Sequence, residues 1–182
     1  MFAVKTTAGA PKTEVYRELA AQLTALLAGE TNALANASNV SALLFQGLPD
    51  LNWAGFYFLH GAELVLGPFQ GKVACVRIAM GRGVCGTAAQ QRKTIVVPDV
   101  EKFPGHIACD HASRSEIVVP LTASGKLIGV LDVDSPSLAR FDAEDAKGLE
   151  ALTEILLHSC DLTDLAKVGP VSDRPENRRH ET

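Results

Sequence analysis

The chain has no run of apolar residues near the roughly 18 needed to cross a bilayer. Its first eleven residues carry no sustained apolar block of the signal-peptide kind. A cytoplasmic protein is therefore expected, with no membrane partner. Neither sign of charge is in large excess. Against 17 Lys and Arg stand 21 Asp and Glu, a formal net charge of -4, so nucleic acid and anionic membranes are not expected as main partners. The four cysteines form no Cys-x-x-Cys pair, and no His-x-x-x-His spacing accompanies them. The spacing therefore predicts no zinc and no other metal. Gly81-Arg82-Gly83 with Gly86 lacks the flanking pattern of a dinucleotide or Walker loop. No internal repeat is visible.

What is present suits one globular domain. A chain of 182 residues, 47% apolar and 21% charged, can bury a core of its own. Residues 1–11 read as a loose lead-in, 12–162 as a single domain and 163–182 as a polar, Pro-containing tail expected to be disordered. Leu19, Leu23, Leu26 and Leu27 recur at helical spacing and predict a helix from about Lys12 to Ala28. Thr31 or Asn32 could cap a second helix with Ala33, Ala37, Val40 and Leu44 on its apolar face.

Strands are predicted over Asn52–Leu59, Glu63–Gly67 and Lys72–Ile78, the last carrying Cys75 on the face of Val73 and Arg77. Gly81-Arg82-Gly83 opens a short helix, Val84 to Gln91, and a short strand covers Thr94–Val97. Two β-branched runs, Glu116–Leu121 and Leu127–Val133, flank Ala123-Ser124-Gly125-Lys126 and read as a hairpin. Asp142, with Asp145 three residues on, starts a last helix lined by Leu149, Leu152, Leu156 and Cys160. This order predicts an α+β fold, a central antiparallel sheet flanked by helices. The first and last helices are expected together on one side of it, with any pocket on the other.

The candidate chemistry lies in the middle of the chain. Cys75, Cys85 and Cys109 fall within a short span, while Cys160 stands apart as a core residue. A free thiol is only a few per cent ionised near neutrality. Cys85, in the first turn of its helix beside Arg82, is placed to favour the thiolate. Cys109 sits in a polar loop with His106, His111 and Arg114 nearby, although Asp110 pushes the other way. Unpaired cysteines are also commonly small buried hydrophobes. Asp132 and Asp134 share one face of a strand, and Glu116 opens the partner strand. Held together, three carboxylates cannot all ionise easily, so one keeps its proton near neutral pH; the bland alternative is a solvated strand end. Trp53 and Tyr57 share a strand face, as core aromatics or as the wall of a small-ligand site.

Six blocks carry a resemblance: Asn52–Tyr57, Leu66–Gly71, Ala74–Ile78, Gly81–Thr87, Gly105–Asp110 and Gly129–Pro136. In this order they closely resemble the GAF-domain free methionine-(R)-sulfoxide reductases, a likeness running from about Lys12 to Leu157. The resemblance implies a GAF fold, usually homodimeric. It implies reduction of free methionine-(R)-sulfoxide, with thioredoxin as reductant, no further cofactor and a part in oxidative-stress defence. Cys109 matches the position generally taken as the attacking thiol, and Cys75 one that forms a disulfide with it. Cys85 matches a third thiol, attacking or resolving. Trp53 and Tyr57 match pocket-wall positions. Glu116, Asp132 and Asp134 match the acidic group that holds the amino acid and assists catalysis. A rival expectation is a non-catalytic GAF sensory domain binding a small ligand such as a cyclic nucleotide, which retention of all three motif cysteines disfavours. A redox-sensing regulator is a third.

Overall fold

Leu19, Leu23 and Leu27 all lie on the buried side of helix α1 (Lys12–Leu27) in a computed structural model, which describes residues 3–7, 9–107 and 110–163. Pro11 precedes the helix without a side-chain cap. A cap is worth about 1 kcal/mol, whereas each buried leucine contributes roughly 2 kcal/mol. Packing therefore holds α1. Helix α2 (Ala33–Gly47) is capped by Asn32, whose side chain accepts the Ala35 amide at 2.9 Å, and it buries Ala33, Ala37, Val40 and Leu44. Helix α4 (Ala143–Ser159) starts at Asp142 in a capping box with Asp145.

Six strands form one antiparallel sheet: β1 (Trp53–His60), β2 (Glu63–Gly71), β3 (Arg77–Ala79), β4 (Ile95–Val97), β5 (Ser115–Ala123) and β6 (Lys126–Ser135). They lie side by side in the order β3-β2-β1-β6-β5-β4. Helices α1, α2 and α4 cover one face through Ala54, Phe56 and Phe58 of β1. The other face carries Trp53 and Tyr57 and is covered by α3 (Gly83–Gln91). The α+β architecture and the pairing of the first and last helices match the expectation from pattern.

The β5–β6 connection is a two-residue turn. Ser124 (φ 49°) and Gly125 (φ 74°) both take left-handed backbone, the mirror-image turn that matches strand twist.

Two strands differ from the reading of the sequence. β2 does not stop at Gly67 but runs on through Pro68 to Gly71. Its register with β1 shifts between Gly55 and Tyr57, opposite Phe69 and Leu66, and a bulge is where a sheet tolerates proline. Conversely, the strand predicted over Lys72–Ile78 shrinks to Arg77–Ala79. Residues 72–76 form an irregular connection in which Val73 and Val76 are exposed. Cys75 therefore sits on this connection rather than on a strand face shared with Val73 and Arg77.

The look-alike glycines have a packing explanation. A side chain on Gly86 would stand 2.3 Å from the Ala79 carbonyl oxygen, so α3 can lie against the end of β3 only with glycine there. The expected tail beyond residue 163 lies outside the described residues.

Candidate active site

The hairpin register builds the site. Glu116 of β5 pairs directly with Asp134 of β6, and Val118 with Asp132. Strand alternation then turns both aspartates to the α3 side. There Tyr57, Cys85, His106, Glu116, Asp132 and Asp134 line one cavity. Its inner part has a volume of about 30 Å³, and it opens outward to solvent. A thiol stands beside the carboxyls, and it is that of Cys85; the loop thiol expected there, Cys109, lies outside the described residues. Cys85 Sγ lies 3.9 Å from Glu116 Oε1.

Burial dominates the electrostatics. Cys85 is 4% exposed. Loss of water, with the Asp132 and Glu116 carboxylates beside it, pushes its thiol well above the usual range. The sequence argument for a thiolate at the helix N-terminus is thus overturned. A helix end contributes about 0.3–1 kcal/mol near the surface, too little against full desolvation next to two acids. The carboxyls are raised in the same way: Glu116 by burial and Asp134, Asp132 by burial and Glu116, Asp134 by burial and Asp132. One group's charge is the next group's obstacle.

Asp132 carries a further mark. It is 7% exposed, and its Oδ1 has no hydrogen-bond partner among the described residues.

His106 faces Glu116, Nε2 to Oε2 at 3.6 Å. Burial lowers the proton affinity of the imidazole while it raises that of the carboxyl. Burial thus works against charge on both partners of this contact. Composition and spacing had left His106 as a loop residue. A histidine ten positions before Glu116 offers no periodic signal, and the loop geometry brings the two together.

Around Asp134 a polar network closes the rim. Ser113 hydrogen-bonds Asp134, and Asn52 Nδ2 donates to Ser113 Oγ at 2.9 Å and to Asp110 Oδ2 at 3.2 Å. Lys72 Nζ reaches Asp110 Oδ1 at 3.2 Å, tying the β2–β3 connection to the loop before β5. The Ala112 amide chiefly, with help from Lys72 and Asn52, holds Asp110 below the usual carboxylate range. Asp110 is thus an anion at the rim of a cavity whose interior acids resist ionising.

Of the two aromatics, Tyr57 lines the cavity. Trp53 stacks behind it with ring centroids 5.9 Å apart, stacks on Phe69 at 5.3 Å, and donates its indole N–H to the Lys72 carbonyl at 3.1 Å. Cys75, half-buried, is disulfide-bonded, whereas Cys85 and Cys160 are free thiols. Cys109 lies outside the described residues.

A family model described as the GAF domain matches residues 15–156. The chain is 54% identical over 156 residues to a free methionine-R-sulfoxide reductase of Escherichia coli (strain K12), covering 86% of this chain and 94% of that protein. It is 46% identical over 157 residues to a free methionine-R-sulfoxide reductase of Saccharomyces cerevisiae, covering 82% and 87%. Among solved structures, the free methionine-R-sulfoxide reductase of Neisseria meningitidis in complex with its substrate superposes with a TM-score of 0.84. That match has 45% identity and covers 92% of this chain and 98% of the other.

Proposed function

Because the chain belongs to the free methionine-(R)-sulfoxide reductases of the GAF-domain family, we propose that it reduces free L-methionine-(R)-S-oxide to methionine through a cysteine sulfenic acid and an intramolecular disulfide. Thioredoxin recycles the disulfide, no other cofactor takes part, and residues 12–162 act as one catalytic domain in a cytoplasmic homodimer. The observation that carries this reading is the convergence of Glu116, Asp132 and Asp134 on a cavity that also holds a thiol.

The chemistry needs such a group. A cysteine sulfur attacks the sulfoxide sulfur, and the oxygen leaves onto the cysteine as it takes up a proton, giving methionine and a sulfenic acid. A carboxyl that keeps its proton at neutral pH is the natural donor. The remaining acids form an anionic socket for the substrate ammonium, and Tyr57, backed by Trp53, forms the apolar wall for its methyl-sulfur end.

Cys109 is the proposed attacking thiol. Cys85, buried among acids that hold its proton on, is poorly suited to that role. Cys75 then condenses with the sulfenic acid, releasing water and forming the disulfide that thioredoxin reopens. A cyclic-nucleotide sensor would have to seat a phosphate beside three carboxyls.

The test follows NADPH consumption with thioredoxin, thioredoxin reductase and each epimer of free methionine sulfoxide. Turnover of the R epimer is expected, and its absence ends the reading. Cys109→Ser should abolish even a single turnover, whereas Cys75→Ser should release one methionine per chain and then stall. One methionine from the Cys109→Ser protein would move the attacking role to Cys85.

A further inference from the structure

Spacing along the chain excludes a local metal motif, yet the fold assembles a ligand set from three separate elements. Cys85 Sγ from α3, a Glu116 oxygen from β5 and an Asp132 oxygen from β6 all lie within 4.8 Å of one another, and all three residues are buried. Tetrahedral zinc, with bonds of about 2.0–2.3 Å, separates its ligands by roughly 3.3–3.8 Å. Shifts of an ångström or less would close the three side chains onto one ion. A cavity of about 30 Å³ adjoins them, and the buried Asp132 Oδ1 has no hydrogen-bond partner among the described residues. A buried polar atom left in that state is costly, and a cation in the cavity would satisfy it. Three protein ligands leave the fourth tetrahedral position to water.

We propose that Cys85, Glu116 and Asp132 form a site for one zinc-class divalent cation, and that its occupancy shuts out substrate. One sulfur and two carboxylates suit zinc and its chemical kin. Calcium and magnesium prefer six or more oxygens. Binding exchanges the Cys85 proton, and those the carboxyls hold, for the metal and releases them to water. The exclusion of substrate rests on the proposed reductase function, whereas the metal site itself is read on binding alone, so the two can fail separately.

The full chain, with the Cys75 disulfide intact and no added thiol, is titrated with Co²⁺ and followed by absorption, and with Zn²⁺ by equilibrium dialysis. The expected result is a sulfur-to-cobalt charge-transfer band that saturates at one ion per chain and is displaced by Zn²⁺ but not by Mg²⁺. Cys85→Ser should remove both the band and that ion, and Cys160→Ser should leave both intact. Asp132→Asn should weaken binding by at least the roughly tenfold that losing even an outer-shell partner costs a metal site. Zn²⁺ should also slow turnover of the reduced enzyme, with added substrate relieving it. No band in the unmodified chain, a band that survives Cys85→Ser, or one lost in Cys160→Ser overturns the site.

Discussion

Glu116 sets the site's response to pH. It is 5% exposed, and burial beside Asp134 raises its proton affinity in the native state. In the unfolded chain a glutamate titrates near 4.3. The folded protein thus binds this proton more tightly than the unfolded one. The stability that follows is complete below about pH 4 and is lost as pH rises toward the elevated native value. Glu116→Gln keeps a neutral hydrogen-bonding group without the titration. Urea denaturation should find it more stable than the parent by about 1 kcal/mol at pH 8, with the difference vanishing at pH 4, while reductase activity collapses. Asp142 works in the opposite sense. Lys12 holds its carboxyl down at about 2, so its contribution is present above the ordinary aspartate value and lost as pH falls toward 2.

At the scale of elements, the close approach of β6 to β1 decides where the acids stand. A side chain on Gly129 would meet the Tyr57 carbonyl oxygen at 2.2 Å and Phe58 Cα at 2.9 Å, both backbone atoms that cannot turn aside. Gly129→Ala should therefore push the strands apart and cost about 3 kcal/mol. Asp132 lies three residues along the same strand, so KM for the sulfoxide should rise as well. Thermal melts and steady-state kinetics on one preparation check both effects.

Much of this element-level arrangement was legible in the sequence. The Ser124-Gly125 turn fixed the hairpin, and strict alternation placed Asp132 and Asp134 together with Glu116 opposite. What was not legible depended on partners distant in the chain. Pro68 looked like a strand end, but it sits in a bulge of β2 opposite Phe56 of β1. Val73 and Val76 looked like strand residues, but no face of the sheet covers them. Cys85 looked activated from its local helix, because the acids that hold its proton on come from β5 and β6. His106 carried no periodic signal at all.

For the whole molecule, the two faces of the sheet have different tasks. One face is dry, filled by Leu19, Leu23, Leu43 and their neighbours from α1, α2 and α4. The other holds the cavity and its titratable groups. A homodimer is proposed from family membership, and sedimentation equilibrium at micromolar concentration should return twice the chain mass of 19.3 kDa. A single-chain mass would overturn the homodimer.

The carboxyls hang from the middle and inner strands of the sheet, whereas Cys75 sits on the β2–β3 connection and Cys85 on the short helix α3. In the proposed cycle, disulfide exchange at Cys75 is thereby kept off the strands, and the framework that aims the acids need not register which sulfur is bonded to which. Amide deuterium exchange in the two redox forms should give the same slowest set in β1, β5 and β6. Any contrast should be confined to the β2–β3 connection, α3 and the loop leading into β5: one chassis serves both halves of the cycle.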